Sequence, residues 1–408
     1  MNDIRPTPAA EIELQRSSQT EAGQHLARLI AFYLPQFYPI PENDAWWGPG
    51  FTEWTNVAKA RPLYKGHKQP RLPADLGFYD LRLAETRERQ ADMARAAGIE
   101  GFCYWHYWFA GRLLLERPFE EVLNTGEPDF PFCVAWANQS WSGIWHGAPN
   151  RILIEQTYPG PEDDARHFGY LRRAFEDPRY VRVGGRPILF VYKPADLPEP
   201  ARFVERWQAM ATDAGLGGLY LVAGLGESEY PTHREDGFDA GVWYEFPFQD
   251  TFGTWFRQRL MNRNIIQGPR RYPHRRHLPE APPDLGGTLI PCVYPNWDNT
   301  PRSGRRGVLA TGSTPQRFGA HLRRAMELAS AAPSDEQVVM IKSWNEWAEG
   351  NYLEPDLEFG LGRLDALAAE VRRARKPAPR PASTPDPPRS ALPPTDSPAE
   401  SPVSRQAD

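Results

Sequence analysis

The 408-residue chain is poor in the features that would place it in many familiar classes. It has three cysteines, Cys103, Cys133 and Cys292, too few and too scattered for a disulfide framework, and none pairs in a C-x-x-C spacing. Each lies in an apolar, strand-like run, where a buried free thiol is the ordinary arrangement. Positive charge is not in excess: the net charge is −5, which argues against a general binder of nucleic acid or anionic membranes. No apolar run is long enough to span a bilayer, and "MNDIRPTPAAEIELQRSSQTE" lacks the apolar stretch of a secretory leader. These absences together predict a reducing, cytoplasmic location.

Nucleotide and metal signatures are missing too. "GLGGLY" (215–220) and "GLGRLD" (360–365) each break G-x-G-x-x-G at its last position. There is no Walker A sequence, no H-E-x-x-H and no D-x-D, so the expectation is no cofactor and no metal. Aromatic residues are plentiful instead, at 12% with 14 tryptophans. Their flat, electron-rich faces serve core packing or stack on the C–H faces of sugars. Position, not count, separates those uses.

Three stretches divide the chain. Residues 1–26 are polar without apolar periodicity and read as a flexible segment. Residues 375–408 are about a third proline with almost no large apolar side chain, the composition of a disordered tail. Between them, over 27–374, strand-like and helix-like segments alternate. Strands are predicted at 28–37, 99–108, 130–138, 187–194, 219–226, 238–246, 288–297 and 337–347. Helices are predicted at 81–98, 117–126, near 163–176, near 200–214, near 315–331 and around 361–374. These eight strands with their helices make roughly eight βα units and predict an α/β fold, a (β/α)₈ TIM barrel of one domain. The continuously apolar strands fit a parallel sheet buried on both faces.

Barrel chemistry collects where strands end and the following loops begin. The predicted ends are crowded: Tyr33, Gln36, Trp46, Trp47, Glu53 and Trp54 after the first strand; Tyr104, His106, Tyr107 and Trp108 at the second; Trp136, Asn138, Gln139 and Trp141 after the third. Tyr192 follows the fourth, Tyr244 and Glu245 the sixth, and Asn296, Trp297 and Asp298 the seventh. The eighth ends "WNEWAEG", with Trp344, Asn345, Glu346 and Glu349. Each alone has a structural reading: a strand tryptophan is ordinarily core, and His106 is ordinarily a hydrogen-bonded packing residue. Aromatics, amides and carboxylates together at nearly every strand end describe a cleft for sugar.

The E-x-x-E spacing alone says little. Glu85 and Glu88 repeat it on an amphipathic helix, where a solvated face explains them. Glu346 and Glu349 differ because they follow a buried strand, stand between tryptophans and precede Gly350. A short turn there would bring the two acids close together. Neighbouring acids shift one another, and apolar walls raise the less solvated one. One acid then keeps its proton while the other is charged, the division of labour that breaking a glycosidic bond needs.

The stretches "FYLPQFYPIPENDAWWGPGFTEWTNV", "GHKQPRLPADLGFYDLR", "GFCYWHYWFAGRLLLERPFEEVL", "FPFCVAWANQSW" and "SWNEWAEGNYLEPD" resemble the WbsX-type proteins. That family is labelled glycosyltransferase in polysaccharide loci and is similar to glycoside hydrolase family 99, the endo-α-mannosidases. The resemblance runs from about residue 28 to about 372. It implies a (β/α)₈ barrel with Glu346 as base towards a substrate 2-hydroxyl and Glu349 as acid on the leaving oxygen. The sugar's own 2-oxygen would be the internal nucleophile, giving retention on a mannose-like donor. Where relatives carry an acid after "WAN", this chain has Gln139, so a charged sugar contact is missing.

Two further readings compete with a retaining glycosidase or transglycosylase. One is a glycosyltransferase building surface polysaccharide (O-antigen or lipopolysaccharide), in peripheral association with a membrane assembly system. The other is a glycan-binding barrel without activity, which the intact glutamate pair argues against. "RRYPHRRH" (270–277) reads as a solvated basic loop rather than a diphosphate or headgroup contact. The partner expected is a glycan or glycosyl donor, with no nucleic acid; the oligomeric state has no signature in the sequence.

Overall fold

The computed structural model describes residues 27–143, 148–225, 230–243, 253, 256, 259, 267–274 and 288–375. Strands β1 (Arg28–Tyr33), β2 (Gly101–Phe109), β3 (Phe132–Trp136), β4 (Arg186–Val191), β5 (Tyr220–Leu225) and β6 (Ala240–Trp243) lie side by side in that order. The next strand, β7, is broken into Thr288–Ile290 and Cys292–Val293; the first half pairs with β6 and the second with β8 (Val338–Ile341). Since β8 also pairs with β1, the sheet closes on itself. Every neighbouring pair is parallel, and the expected (β/α)₈ barrel is the architecture.

Local chemistry explains the connecting helices. Proline opens three of them, Pro161–Glu176, Pro200–Asp213 and Pro315–Ala329, where the missing N–H costs nothing. Gly98 ends Ala84–Ala97 in the left-handed conformation. Glu85 and Glu88, the decoy pair, lie exposed on that helix. The final helix is Gly362–Ala374.

Several expected strands are shorter than their apolar runs. The first stops at Tyr33, before Pro35, and its remaining residues enter a loop bearing the helices Pro41–Trp47 and Glu53–Lys59. The seventh is interrupted at Pro291, which has no N–H for the ladder. The eighth stops at Ile341; Asn345–Glu346 then pairs antiparallel with Asn351–Tyr352 across a turn at Trp347–Glu349. Part of the expected basic loop is a strand instead: Arg270–Pro273 pairs with Val308–Thr311, and Arg271 stacks over Tyr64. His274 follows, buried, its N–H donating to Thr311 O at 2.8 Å; residues 275–277 lie outside the described residues, as do 1–26 and 376–408.

Side-chain parity divides the barrel wall. Phe32 of β1 stacks on Trp105 of β2 at 4.8 Å and meets Phe190 of β4 at 5.8 Å. Trp105 also meets Tyr192, just past β4, at 5.3 Å. Contacts between strands that are not neighbours cross the lumen, so these residues face inwards. Alternation then turns Tyr33, Tyr104, His106 and Trp136 outwards, against the helix layer, while Trp344, past the end of β8 where the regular alternation has stopped, packs on Phe102. The three cysteines are free and buried. Among the described residues no helix is long and apolar enough to cross a membrane.

Candidate active site

The inward parity of β1, β2 and β8, carried past the strand ends, opens into a cleft of about 400 Å³. Its walls include Gln36, Trp47, Glu53, Tyr107, Gln139, Trp141, Tyr192 and Trp297, and both Glu346 and Glu349 line it. Trp105 and Lys342 line it too, as does Arg302, a residue that strand-end reasoning missed.

Arg302 organises the acids. It sits on the short helix Thr300–Ser303, after β7, with its side chain 12% exposed. Its Nε donates to Glu53 Oε1 at 2.9 Å, and its Nη1 donates to Glu349 Oε1 at 2.7 Å and Glu346 Oε1 at 3.4 Å. One guanidinium thus faces three carboxyl groups from two separate segments, the loop after β1 and the loop after β8. Burial works against the arginine's charge, but Glu53, Glu349 and Glu346 outweigh it and raise its pKa well above the ordinary value. Burial also pushes the Glu346 carboxyl up to about 8, reinforced by Glu349 and opposed by Arg302 and Lys342. Glu346 therefore holds a proton at neutral pH, while Glu349 takes the shorter arginine contact.

The loops bearing these groups are laced together. Asp298 N donates to Glu349 O at 2.5 Å, and Asn296 Nδ2 donates to Gly350 O at 3.0 Å. The Asp298 carboxylate accepts from His67 Nε2 and Gln69 Nε2, both at 2.9 Å, and from Thr300 N and Oγ1 at the head of the Arg302 helix. Burial pushes Asp298 up, but His67, Arg71 and Thr300 more than cancel it and hold the carboxyl below its usual range. Gly350 completes the fit. Its φ is +60°, and an added Cβ would stand 2.9 Å from Asp298 Cβ.

The other predicted residues are placed elsewhere. Tyr33 donates to Gln90 Oε1 at 2.6 Å in the core, and Tyr104 packs against Tyr33. His106 meets His167 at 2.8 Å behind β2, and Trp136 packs on His167 and Phe203. Burial lowers His106 to about 3, and burial with His106 nearby lowers His167 well below the ordinary value, so the pair is neutral. Trp54 donates to Tyr79 O, Trp46 packs on Trp141, and Trp344 packs on Phe102. Asn138 staples the β3 end to Lys193, Asn345 staples the β8 loop to Leu34, and Asn296 holds Gly350. Tyr244 and Glu245 lie outside the described residues. Sequence reasoning found the aromatic and acidic lining but had no rule for parity. Arg302 was hidden in "TPRSGRR", which reads as a solvated basic turn.

Comparison with known proteins agrees with this architecture. In solved structures the barrel resembles the GH99 endo-α-mannosidase from Bacteroides thetaiotaomicron in complex with bis-tris-propane. That match has a TM-score of 0.51 and 17% identity over 85% of this chain and 98% of the other. It also resembles a glycoside hydrolase-like protein, with a TM-score of 0.55 and 13% identity over 86% and 95% of the two chains. Both likenesses are of fold. Among curated proteins, the chain is 43% identical over 351 residues to protein WxcX of Xanthomonas campestris pv. campestris, in strains ATCC 33913 and B100. The match covers 85% of this chain and 50% of WxcX, so the chain spans about half the length of those relatives. The family described as Glycosyltransferase WbsX matches residues 29–367. The chain therefore belongs to the WbsX glycosyltransferase family.

Proposed function

We propose that this protein is a carbohydrate-active enzyme that cleaves or transfers a mannose-like glycosyl unit with retention, using Glu346 and Glu349 as its acid/base pair. The observation that carries the reading is the sharing of Arg302 by both glutamates in an aromatic-walled cleft at the C-terminal end of the barrel. On the roles the resemblance implies, Glu346 takes the proton of the substrate 2-hydroxyl as that oxygen bonds to C1. Glu349 gives a proton to the departing glycosidic oxygen. Water then opens the three-membered ring at C1 and restores the 2-hydroxyl. Burial favours the protonated form of Glu346 in the free cleft, so on these roles substrate binding must draw that proton away before the group acts as base. Either way the active form of the pair holds one proton.

The test compares wild type with Glu346→Gln and Glu349→Gln on α-mannosyl fluoride and on unactivated α-mannosides, with and without acceptor glycans. Fluoride leaves with little help from an acid, so the acid's variant keeps more activity on the fluoride and the base's variant loses both. Full activity of both variants on every substrate would dismiss the pair.

The family's description supports a second reading as a glycosyltransferase; its finer form, assembly of surface polysaccharide in peripheral association with a membrane system, is the alternative we propose beside the first. Transfer from a nucleotide sugar that survives both substitutions would select it.

A further inference from the structure

Two asparagines in the loop after β1 have no place in the reading so far. Asn43, on the helix Pro41–Trp47, and Asn56, on the helix Glu53–Lys59, both line the cleft. They are 0% and 1% exposed. Among the described residues no protein group bonds Asn43 Nδ2, Asn43 Oδ1 or Asn56 Oδ1. A buried amide left unpaired is destabilising, so a fold selected for stability alone would put an apolar side chain there. The contrast is with Asn138 and Asn345, each of which staples one loop to another through both its amide nitrogen and its amide oxygen.

Their neighbours on the same helix faces also line the cleft. Asn56 is one turn from Glu53, which touches Arg302 and through it the reactive pair. Asn43 is one turn from Trp47, a flat wall of the same cleft. A carboxamide both donates and accepts, as a hydroxyl does, and it carries no charge. The geometry points to a second subsite, in which Asn43 and Asn56 hydrogen-bond the hydroxyls of a neutral sugar stacked on Trp47, next to the unit held at Glu346 and Glu349. This rests on the glycan reading of the cleft and adds its substrate class: a neutral saccharide of at least two units.

The experiment is calorimetric titration of methyl α-mannoside and an α-linked mannobiose into the Glu349→Gln protein, alone and combined with Asn43→Leu or Asn56→Leu. The disaccharide should bind more tightly than the single sugar to the parent. Each leucine should cut that advantage by about tenfold, near 1.4 kcal/mol. Melting temperature should hold or rise, because leucine removes an unpaired polar group. A purely structural amide would instead lower the melting temperature and leave the affinity ratio alone. Asn43→Ser and Asn56→Ser, read by the same ratio, stand in for any leucine variant that fails to fold. An unchanged ratio in folded variants, or a parent that binds both sugars equally, overturns the subsite and leaves the glycan reading standing. A parent that binds neither overturns both.

Discussion

The molecule buries acidic side chains in two neighbouring regions and treats them in opposite ways. Behind the barrel end, Glu354 accepts from Tyr79 Oη at 2.9 Å, Gln90 Nε2 at 2.6 Å and Trp347 Nε1 at 2.6 Å. Burial pushes it up to about 7, against those donors. In the cleft, Glu53, Glu346 and Glu349 share one guanidinium. Neutral donors from three segments fill the acceptor sites of Glu354, and its task is to join those segments. The cleft acids compete for one cation and keep oxygen atoms facing a cavity. Burial and a raised pKa are common to Glu346 and Glu354; on the proposed function, what separates an acid that works from one that only joins segments is whether its hydrogen-bonding capacity is already spent.

The largest expected effect tests that distinction on rate. Glu346→Gln or Glu349→Gln should lower kcat on unactivated α-mannosides by roughly 10²–10⁴-fold, the usual worth of a positioned acid or base. Glu354→Gln should stay within a few fold of wild type; a loss there as large as at Glu346 would erase the contrast. Next is stability. Arg302→Met strands three acids without their cation and should cost about 3–5 kcal/mol in urea unfolding. Glu354→Gln, which turns an amide N–H₂ against existing donors, should cost roughly 1–3 kcal/mol.

The pH dependence sharpens the comparison further. Activity should fall as pH rises through about 8, where the pair loses its one proton, and Glu346→Gln should remove that limb. Glu346 is raised above its ordinary 4.5, so its contribution to stability is full below pH 4.5 and is lost as pH rises through about 8. Glu354 has the same sign, with its contribution lost by about 7. Urea midpoints at pH 5, 7 and 9 for wild type and each variant would separate the two windows. The smallest effect comes from outside the acids. His106 and His167 are both depressed, so their contribution is full above the ordinary 6.5 and is lost as pH falls towards 3. His106→Phe should flatten the acid side of the stability profile without touching the alkaline limb of activity.

Much of this was legible in the sequence because the alternation of strand-like apolar runs with helix-like segments is local chemistry. The barrel and all eight strand positions followed from it, and so did the location of Glu346 and Glu349. Strand ends were less legible: Pro291 announces the break in β7, but nothing in "VVMIKSWNEW" marks where pairing with β1 stops. Parity was illegible in "GFCYWHYWF", because a strand buried on both faces has no polar side to betray which residues look inwards. Trp105 and Tyr107 therefore could not be told from Tyr104 and His106. Arg302, Asn43 and Asn56 escaped for another reason: each sits on a short helix in a loop, and only the fold brings it to the cleft.

Gly350 sets a tolerance on the whole arrangement. A single methyl group there would collide with Asp298, which also fastens the Arg302 helix and receives His67 and Gln69 from a remote loop. The smallest possible enlargement of a residue that touches no substrate would thus be felt at the guanidinium and at both acids together. The mouth of the barrel behaves like a keystone arch, in which the piece with least bulk fixes the spacing of all the others.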